Sequence, residues 1–471
     1  MLLSSRFRWL FRRGLALILG LSLLSVALLL LLDRHYPPNL SRARDLSTVV
    51  LDRNGQLLRA FTTADDTWRL PVTTAAVAPR FFTMLQHYED QRFRYHPGVD
   101  PLALLRALGQ WLTHGEIVSG ASTLTMQTAR LLEPRPRTLA NKFLEMLRAL
   151  QLEWRFSKNQ ILDLYLTLAP YGGNLEGIRA ASLAYFGKEP AHLTDAEAAL
   201  LVVLPQSPSR LRPDRYPERA RAARDKVLAR LLDDGVLDAR AHREAREEIV
   251  PPSRQPLPFL APHLARRLSN QSPARIHRTT LDADLQAPLE SVARRALQGL
   301  DERASLAILV ADNASRQVLA YVASADFFAT RRAGQVDMVQ AVRSPGSTLK
   351  PVIYGLGFED KLIHPETLVA DVPTRFGDYA PSNFRDAYSG EVSIREALQR
   401  SLNIPAVQVL EQVGPGRVTA VLRRVGVELQ WHERRGEPGL PLVLGGVGTT
   451  LADLVTLYAG ISQGGLIAPL R

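Results

Sequence analysis

The stretches YEDQRFRYHPGVD at 88–100 and GEIVSGASTLTMQTAR at 115–130 hold the main concentration of potentially functional polar side chains in the chain. The first places acidic and basic side chains around a Pro-Gly turn. The second is a run of small and hydroxyl residues that ends in Gln127 and Arg130. A surface helix needs no such assortment, whereas functional sites are often built from polar groups at helix ends and in loops. We therefore expect residues 88–130 to form a functional site.

The composition limits the classes of protein and partner. At 471 residues the chain is long enough for two or three domains with separate cores. The formal net charge is +11, and Arg greatly outnumbers Lys, which suits phosphate, pyrophosphate or an anionic membrane surface. Nucleic acid is not an expected partner, because the chain has no aromatic and basic recognition motif. Since there is no Cys, disulfides and thiolate catalysis are excluded, while an oxidising compartment is allowed.

Residues 14–32, GLALILGLSLLSVALLLLL, carry no charge and are close to the length that a helix needs to cross a bilayer. Several Arg residues within 1–13 predict a cytoplasmic N-terminus and later domains on the outer side of the membrane. A cleaved signal peptide is the alternative, but its apolar core would be shorter and small residues would precede the cleavage point. We expect a permanent, single-pass membrane helix.

Local signals divide the rest of the chain. Asn54-Gly55 predicts a β-hairpin turn. Asp100 before a Pro is an expected helix N-cap, and Ser157 and Thr194 begin expected capping boxes. Helical and strand-like runs alternate after a Pro-rich segment, so we expect an α+β multidomain protein whose second domain is α/β or α+β. The predicted parts are 1–13 cytoplasmic N-terminus, 14–32 transmembrane helix, 33–74 linker and hairpin, 75–245 helical domain, 246–275 linker and 276–471 second domain.

The first group of candidate residues suits transfer of a sugar, which needs a base for the attacking hydroxyl and stabilisation of the leaving group. Glu89 is the candidate base, at the predicted end of a helix with an apolar face. Glu145 is the candidate partner, because spacings of three place Lys142, Glu145 and Arg148 on adjacent parts of one helix face. With Arg130, these cations would bind a pyrophosphate while Glu145 orients a proton or a metal.

Each of these features has an ordinary structural explanation when taken alone. Glu89 and Asp90 would be an exposed helix end, residues 142–148 a solvated salt-bridged face, and His96 a turn residue. However, EDQRFRYHPGVD, SGASTLTMQTARLL, KFLE, SKNQILDLYL and AYFGK follow one another in order within residues 89–188. This series resembles the five-motif signature of the peptidoglycan glycosyltransferases (glycosyltransferase family 51).

The resemblance covers roughly residues 75–245 and implies a mostly α, lysozyme-like fold that acts on lipid II and the growing glycan strand. It makes Glu89 the general base and Glu145 the second catalytic acid. It also leaves room for a divalent cation, magnesium or manganese, at the pyrophosphate site. The stretches LAPYGGNLEGIRAAS and LPQSPSRLRPDRYPERA are similar to the 1C branch of class A penicillin-binding proteins, which implies the bacterial inner membrane, periplasmic catalytic domains and other wall-synthesis proteins as partners. The expected substrate-binding residues are Asp90, Phe93, His96, Ser122, Thr123, Gln127, Arg130, Lys142 and Arg148.

The second group of candidate residues suits acyl transfer. In Ser347-Thr-Leu-Lys350 both functional side chains share one helix face, so a deprotonated Lys amine can activate the Ser hydroxyl. Ser401-Leu-Asn403 supplies a second hydroxyl and an amide. The combination resembles the penicillin-binding, serine β-lactamase-like transpeptidase domain. The resemblance makes Ser347 the acylated nucleophile, Lys350 its base, Ser401 a proton relay and Asn403 a substrate contact, with β-lactams as ligands.

The third motif of that family, Lys-Thr-Gly, does not follow Asn403, although the glycines near Gly445 resemble the sequence just before it. A degenerate domain is one explanation, but the glycines favour a transpeptidase domain that is incomplete at its C-terminal end, which leaves its activity open. The sequence leaves two alternative functions. A lysozyme-like enzyme that cleaves glycan would share the fold and a catalytic Glu, but it needs no pyrophosphate cluster. A non-catalytic scaffold for wall synthesis would function unchanged after Glu89→Gln.

Overall fold

The computed structural model describes residues 30–31, 33–114, 122–431 and 439–471. The predicted cytoplasmic segment 1–13 and nearly all of the predicted membrane helix 14–32 lie outside the described residues. Within the described part, none of the helices is both long and apolar enough to span a membrane. The chain divides into two compact units. The first holds the described residues up to Val49, Ala60–Pro258 and Ala274–Ile276; the second holds Val50–Arg59, Phe259–Pro273 and His277–Arg471.

The first unit is mainly helical, as the local signals of residues 75–245 predict. Ser157 and Thr194 each form a complete capping box at the start of a helix. Asp100 Oδ1 accepts the backbone N–H groups of Leu102 and Ala103, which confirms it as an N-cap. The helices of this unit are Ser41–Arg44, Pro79–Glu89, Pro101–His114, Leu124–Leu132, Leu139–Arg155, Lys158–Leu168, Ile178–Phe186, Asp195–Val203, Pro217–Asp233 and Ala239–Glu247.

The core of the first unit includes the helix Asp195–Val203, whose residues are all buried except the first. This helix packs against Pro79–Glu89 and Pro217–Asp233, and those two helices also pack against each other. The helix Leu124–Leu132 packs against both Leu139–Arg155 and Lys158–Leu168. A small sheet interrupts the helical pattern, in the strand order Trp68–Arg69, Leu175–Glu176, Pro170–Gly172, parallel in its first pair and antiparallel in its second.

The second unit contains the predicted hairpin. Asp52 Oδ1 accepts the N–H groups of Asn54 and Gln56, and Gly55 has a φ of 88°, which a residue with a side chain rarely adopts. The strands on either side of this turn belong to a three-stranded sheet in the order Leu57–Ala60, Val49–Leu51, Ile276–Arg278.

The rest of the second unit combines helices with two antiparallel strand pairs, Ile308–Ala311 with Val318–Val322 and Leu368–Asp371 with Gly390–Ser393. Because parallel pairs joined by crossover helices define an α/β domain, α+β describes this unit better than α/β. The helices Lys350–Glu359 and Asn403–Val413 pack against each other in its core. The other helices of this unit are Pro262–Gln271, Ala283–Ala296, Ile394–Gln399, Pro415–Arg424 and Leu451–Ser462.

Candidate functional site

The first candidate site is built around Glu89, the last residue of the helix Pro79–Glu89. Gln127 Nε2 donates a hydrogen bond of 2.9 Å to Glu89 Oε2, and Gln206 Nε2 donates one of 2.5 Å to Glu89 Oε1. The sequence predicts a role for Gln127 but not for Gln206. Gln206 lies in the stretch LPQSPS, which resembles a family branch, and a Gln between two prolines carries no chemical signal of its own.

Asp90, His96 and Thr123 form a buried framework behind Glu89. His96 Nε2 lies 3.0 Å from Asp90 Oδ1, and Asp90 Oδ2 accepts the N–H of Leu124 at 2.9 Å. Thr123 Oγ1 donates to the carbonyl of Gly98 at 2.5 Å. The three predicted substrate contacts are at most 8% exposed and have protein partners. They connect the loop after Glu89 to the start of the helix that carries Gln127.

Phe93 is fully buried beside the same framework. The ammonium of Lys158 lies 4.5 Å from the centre of its ring, and Lys158 also donates to the carbonyl of His96 at 2.7 Å and to Glu153 Oε1 at 2.6 Å. Glu153 Oε1 in turn accepts the hydroxyl of Thr125 at 2.6 Å. Phe93, predicted to bind substrate, thus packs inside the unit, and the Lys158–Glu153 pair connects the loop to the helix Leu124–Leu132.

Glu145 lies next to the ammonium of Lys142 on the helix Leu139–Arg155. Its Oε2 is 3.5 Å from the ammonium of Lys142 and accepts no hydrogen bond from the described residues. Lys142 also donates to the hydroxyl of Ser122. Burial lowers the pKa of Lys142 and the charge of Arg130 lowers it further, whereas Glu145 raises it. Lys142 thus contacts both Glu145 and Ser122, and the charge of Arg130 acts on it.

Arg130 lies in the last turn of the helix Leu124–Leu132, and its charge acts on both Lys142 and Tyr165. Burial raises the pKa of Tyr165, the charge of Glu89 raises it further, and the charge of Arg130 opposes both. The charges of Glu89 and Arg130 therefore both act on the hydroxyl of Tyr165.

Arg148 differs from Arg130, because its guanidinium is directed to other partners. Its Nε donates to Glu133 Oε2 at 3.2 Å, its Nη1 donates to Gln151 Oε1 at 2.7 Å, and it also bonds the carbonyl of Tyr36. Arg148 therefore attaches the segment at residue 36 to the helix that carries Glu145.

Among the described residues, those around Glu145 do not form a protein-built cation site. Lys142 pairs with this carboxylate, and a cation next to an ammonium is unfavourable. Across the residues that the structure describes, no group of three His, Asp or Glu side chains could hold a metal ion.

The second candidate site lies in the second unit around Lys350, which is 1% exposed. Its Nζ donates to the carbonyls of Ser401 and Leu402 at 2.7 and 3.1 Å. It also lies 2.8 Å from Asn403 Oδ1 and 3.2 Å from Ser401 Oγ. Burial lowers the pKa of Lys350 to about 8, so a useful fraction of the amine is neutral near physiological pH. The side chains of Ser401 and Asn403 thus both contact the amine of Lys350, and the structure brings these three predicted residues together.

Ser347 lies on the exposed side of a 3-10 turn, Gly346–Leu349, that runs directly into the helix of Lys350. Among the hydrogen bonds of the described residues, none joins Ser347 to Lys350. Ser401 has a φ of 55°, a strained conformation for a residue with a side chain, and such strain is often found at functional sites.

Asn383 is a supporting residue of this site that the sequence analysis missed. Its Oδ1 accepts the N–H of Asn403 at 2.8 Å, and its Nδ2 donates to the buried Asp371 at 2.8 Å. No local pattern marks Asn383, since its partners are separated from it by 20 and 12 residues. It fixes the backbone at Asn403 relative to Lys350.

The two units therefore define a protein that combines a helical unit, with paired carboxylates and cations, and an α+β unit with a Ser-Lys-Ser-Asn group. The family model for a transglycosylase matches residues 54–232, and the model for a penicillin binding protein transpeptidase domain matches residues 306–469. The chain therefore contains a transglycosylase domain followed by a penicillin-binding protein transpeptidase domain.

Individual relatives are similar to the chain over most of its length. It is 49% identical to penicillin-binding protein 1C of Escherichia coli, over 90% of this chain and 55% of that protein. It is 31% identical to penicillin-binding protein 1B of Vibrio cholerae, over 81% of this chain and 52% of that protein. The crystal structure of penicillin-binding protein 1A from Haemophilus influenzae covers 90% of this chain and is itself covered to 69%, with 17% identity and a TM-score of 0.45. The chain spans about half the length of the curated relatives it matches.

Proposed function

We propose that the first unit is a peptidoglycan glycosyltransferase that polymerises lipid II into glycan strands. One observation carries this proposal: Glu89 is oriented by two neutral amides, while Glu145, on a different helix, lies beside the ammonium of Lys142. The first arrangement suits a base and the second suits an anionic leaving group. A polar pocket beside Glu89, whose lining includes Ser122, Arg92 and Arg230, offers space for a substrate.

In the proposed reaction, Glu89 accepts the proton of the attacking sugar hydroxyl as that oxygen bonds to the sugar carbon of a second molecule. The bond between this carbon and the pyrophosphate oxygen breaks on the opposite face, which inverts the carbon. Lys142 and Arg130 stabilise the negative charge that develops on the pyrophosphate. Glu145 holds the Lys142 ammonium in place. Asp90, Phe93, His96 and Thr123 position the loop after Glu89, and Gln127 orients its carboxylate.

Fewer residues are proposed to bind the pyrophosphate than the sequence suggests. Arg148 pairs with Glu133, so its charge is largely neutralised there. Ser122 is engaged by Lys142 and keeps it directed toward the cluster. A divalent cation, if the reaction uses one, would be bound by the substrate phosphates, because the described carboxylates do not supply a site for it.

We also propose that the second unit takes part in acyl transfer. The neutral amine of Lys350 accepts the proton of Ser347 as Ser347 Oγ bonds to the carbonyl carbon of a peptide or a β-lactam. The carbon–nitrogen bond then breaks, and the leaving nitrogen takes up a proton through Ser401. Asn403 binds the substrate amide. The support for these roles is the assembled Lys350–Ser401–Asn403 group and its buried amine.

The proposed setting is the bacterial inner membrane. The uncharged residues 14–32 would span it once, with the N-terminus in the cytoplasm and both units in the periplasm, where lipid II, the glycan strand and other wall-synthesis proteins are available. The main alternative function is cleavage of glycan, but that reaction has no pyrophosphate leaving group for Lys142 and Arg130 to stabilise. A non-catalytic scaffold has no use for an oriented Glu89.

The test is polymerisation of fluorescent lipid II by the full chain in detergent, with Glu89→Gln and the control Glu218→Gln. Glu218 is an exposed residue of the helix Pro217–Asp233, so the control makes the same change outside the site. We expect glycan ladders from the wild type and the control, and none from Glu89→Gln. Cleavage of preformed glycan without ladders would favour the hydrolase. No product from the folded wild type would favour the scaffold.

A further inference from the structure

Gln206 is outside the residues that the sequence analysis assigned to the site, yet its side chain reaches the carboxylate of Glu89. It is the last residue of a 3-10 turn, Leu204–Gln206, that follows the buried helix Asp195–Val203. Pro205 lies inside the turn, and the N–H of Ser207 donates to the carbonyl of the fully buried Leu204 at 3.2 Å. The backbone of Gln206 is therefore fixed to the core although its side chain is exposed.

The two amides around Glu89 approach it from different elements. Gln206 Nε2 donates to Oε1 at 2.5 Å, and Gln127 Nε2, on the helix Leu124–Leu132, donates to Oε2 at 2.9 Å. One donor on each oxygen stops rotation of the carboxylate about its terminal bond. Each oxygen keeps a further lone pair free, so the oriented group can still accept a proton.

The charged and titratable neighbours do not supply this orientation. Tyr88 precedes Glu89 on its own helix, Tyr165 faces it from Lys158–Leu168, and Arg230 comes from Pro217–Asp233. Arg230 donates to the carbonyl of Tyr88 at 3.3 Å. Within the described part of the chain, no ion pair involves Glu89. An ion pair would favour the charged carboxylate and so weaken it as a base, whereas neutral amides orient it with a smaller effect.

We propose that Gln206 is a positioning residue for the proposed glycosyl transfer, which orients the Glu89 carboxylate toward the attacking hydroxyl together with Gln127. The inference rests on the proposed role of Glu89 as the base. A base that is oriented in advance loses less freedom in the transition state, so the effect falls on turnover and not on substrate binding.

The experiment compares three variants in lipid II polymerisation by the full chain in detergent. Gln206→Met keeps the length of the side chain but has no N–H donor. Gln206→Asn keeps the amide on a chain one methylene shorter. Ser209→Ala is the control, because Ser209 is exposed three residues further on and lies outside the group around Glu89. Melting temperature, kcat and KM are measured for each.

We expect kcat to fall about five- to tenfold for both Gln206 variants, as loss of one neutral hydrogen bond predicts. KM and the melting temperature should stay at the wild-type values, since an exposed side chain leaves no cavity. Ser209→Ala should match the wild type. Gln127→Met, which frees the other oxygen of Glu89, should lower kcat in the same way.

The outcomes separate this inference from the function on which it rests. If the wild type polymerises lipid II and Gln206→Met keeps at least half of its kcat, Gln206 is not a positioning residue while the proposed function stands. The same holds if Gln206→Met raises KM or lowers the melting temperature in proportion to the loss of kcat. If the folded wild type makes no polymer, the proposed function fails and the inference fails with it.

Discussion

A change of pH from 7 to 9 should convert Lys350 from an ammonium to a base. Burial lowers the pKa of this amine to about 8, and the neutral form of a Lys predominates above its pKa. About a tenth of the amine is then neutral at pH 7 and about nine-tenths at pH 9. If neutral Lys350 accepts the proton of Ser347, the rate of acylation by a β-lactam should rise about tenfold over this interval, with its midpoint near 8.

The pKa can be measured without reference to activity. The chain has few Lys residues, so the full protein grown with lysine labelled at its ε carbon with ¹³C gives few signals. Lys350→Arg removes one of them and assigns it. That signal should titrate with a midpoint near 8, well below the value of about 10.4 for lysine in model peptides. The rate of labelling of Ser347 by a fluorescent penicillin, with Ser347→Ala as the control, then reports the functional consequence.

Two effects compete at this amine, and the titration decides between them. Burial disfavours the ammonium, whereas the oxygens of Ser401, Leu402 and Asn403 accept hydrogen bonds and favour it. A midpoint above 10 would refute the argument from burial and would show that the hydrogen bonds dominate. A midpoint near 8 with a labelling rate that does not change between pH 7 and 9 would refute the role of Lys350 as the base.

Three further substitutions test the first unit. Gly98→Ala should lower its free energy of unfolding by about 2–4 kcal/mol in urea, because Gly98 has a φ of 94° and a Cβ there would lie 2.7 Å from the carbonyl oxygen of Ala149; an unchanged midpoint would contradict this. Asp100→Ala should lower the free energy of unfolding, measured in the same way, by about 1 kcal/mol at pH 7, because the N-cap is lost. Burial raises the pKa of Asp100, but hydrogen bonds to its carboxylate keep it below the usual value, so the wild type should lose this advantage as the pH falls through that pKa. Lys142→Met should reduce polymerisation about a hundredfold or more if it stabilises the leaving pyrophosphate, whereas the exposed control Lys226→Met should not.

The local elements could be predicted from the sequence because contacts within a few residues determine them. Asn54-Gly55 forms its turn since Gly55 tolerates a positive φ, and Asp100, Ser157 and Thr194 cap helices through N–H groups two or three residues away. The cluster of Lys142 and Glu145 follows from a spacing of three on one helix.

The roles within the site were less predictable. Asp90, His96 and Thr123 carry polar groups, which the sequence analysis assigned to substrate, but their partners are other protein groups. Arg148 shares a helix face with Glu145 by spacing, yet it pairs with Glu133 from outside the helix. A polar residue in a motif can contact substrate or support its neighbours, and the sequence does not distinguish the two.

The sequence by itself determined the helical and mixed parts of this chain, the candidate base Glu89 and the candidate residues Ser347 and Lys350, because periodicity, capping and spacing act over short distances. Only the tertiary structure decided which groups meet these residues. Gln206 reaches Glu89 across 117 residues, and Asn403 reaches Lys350 across 53. Such contacts depend on how buried helices pack against each other, and packing is set by the shapes of many side chains at once.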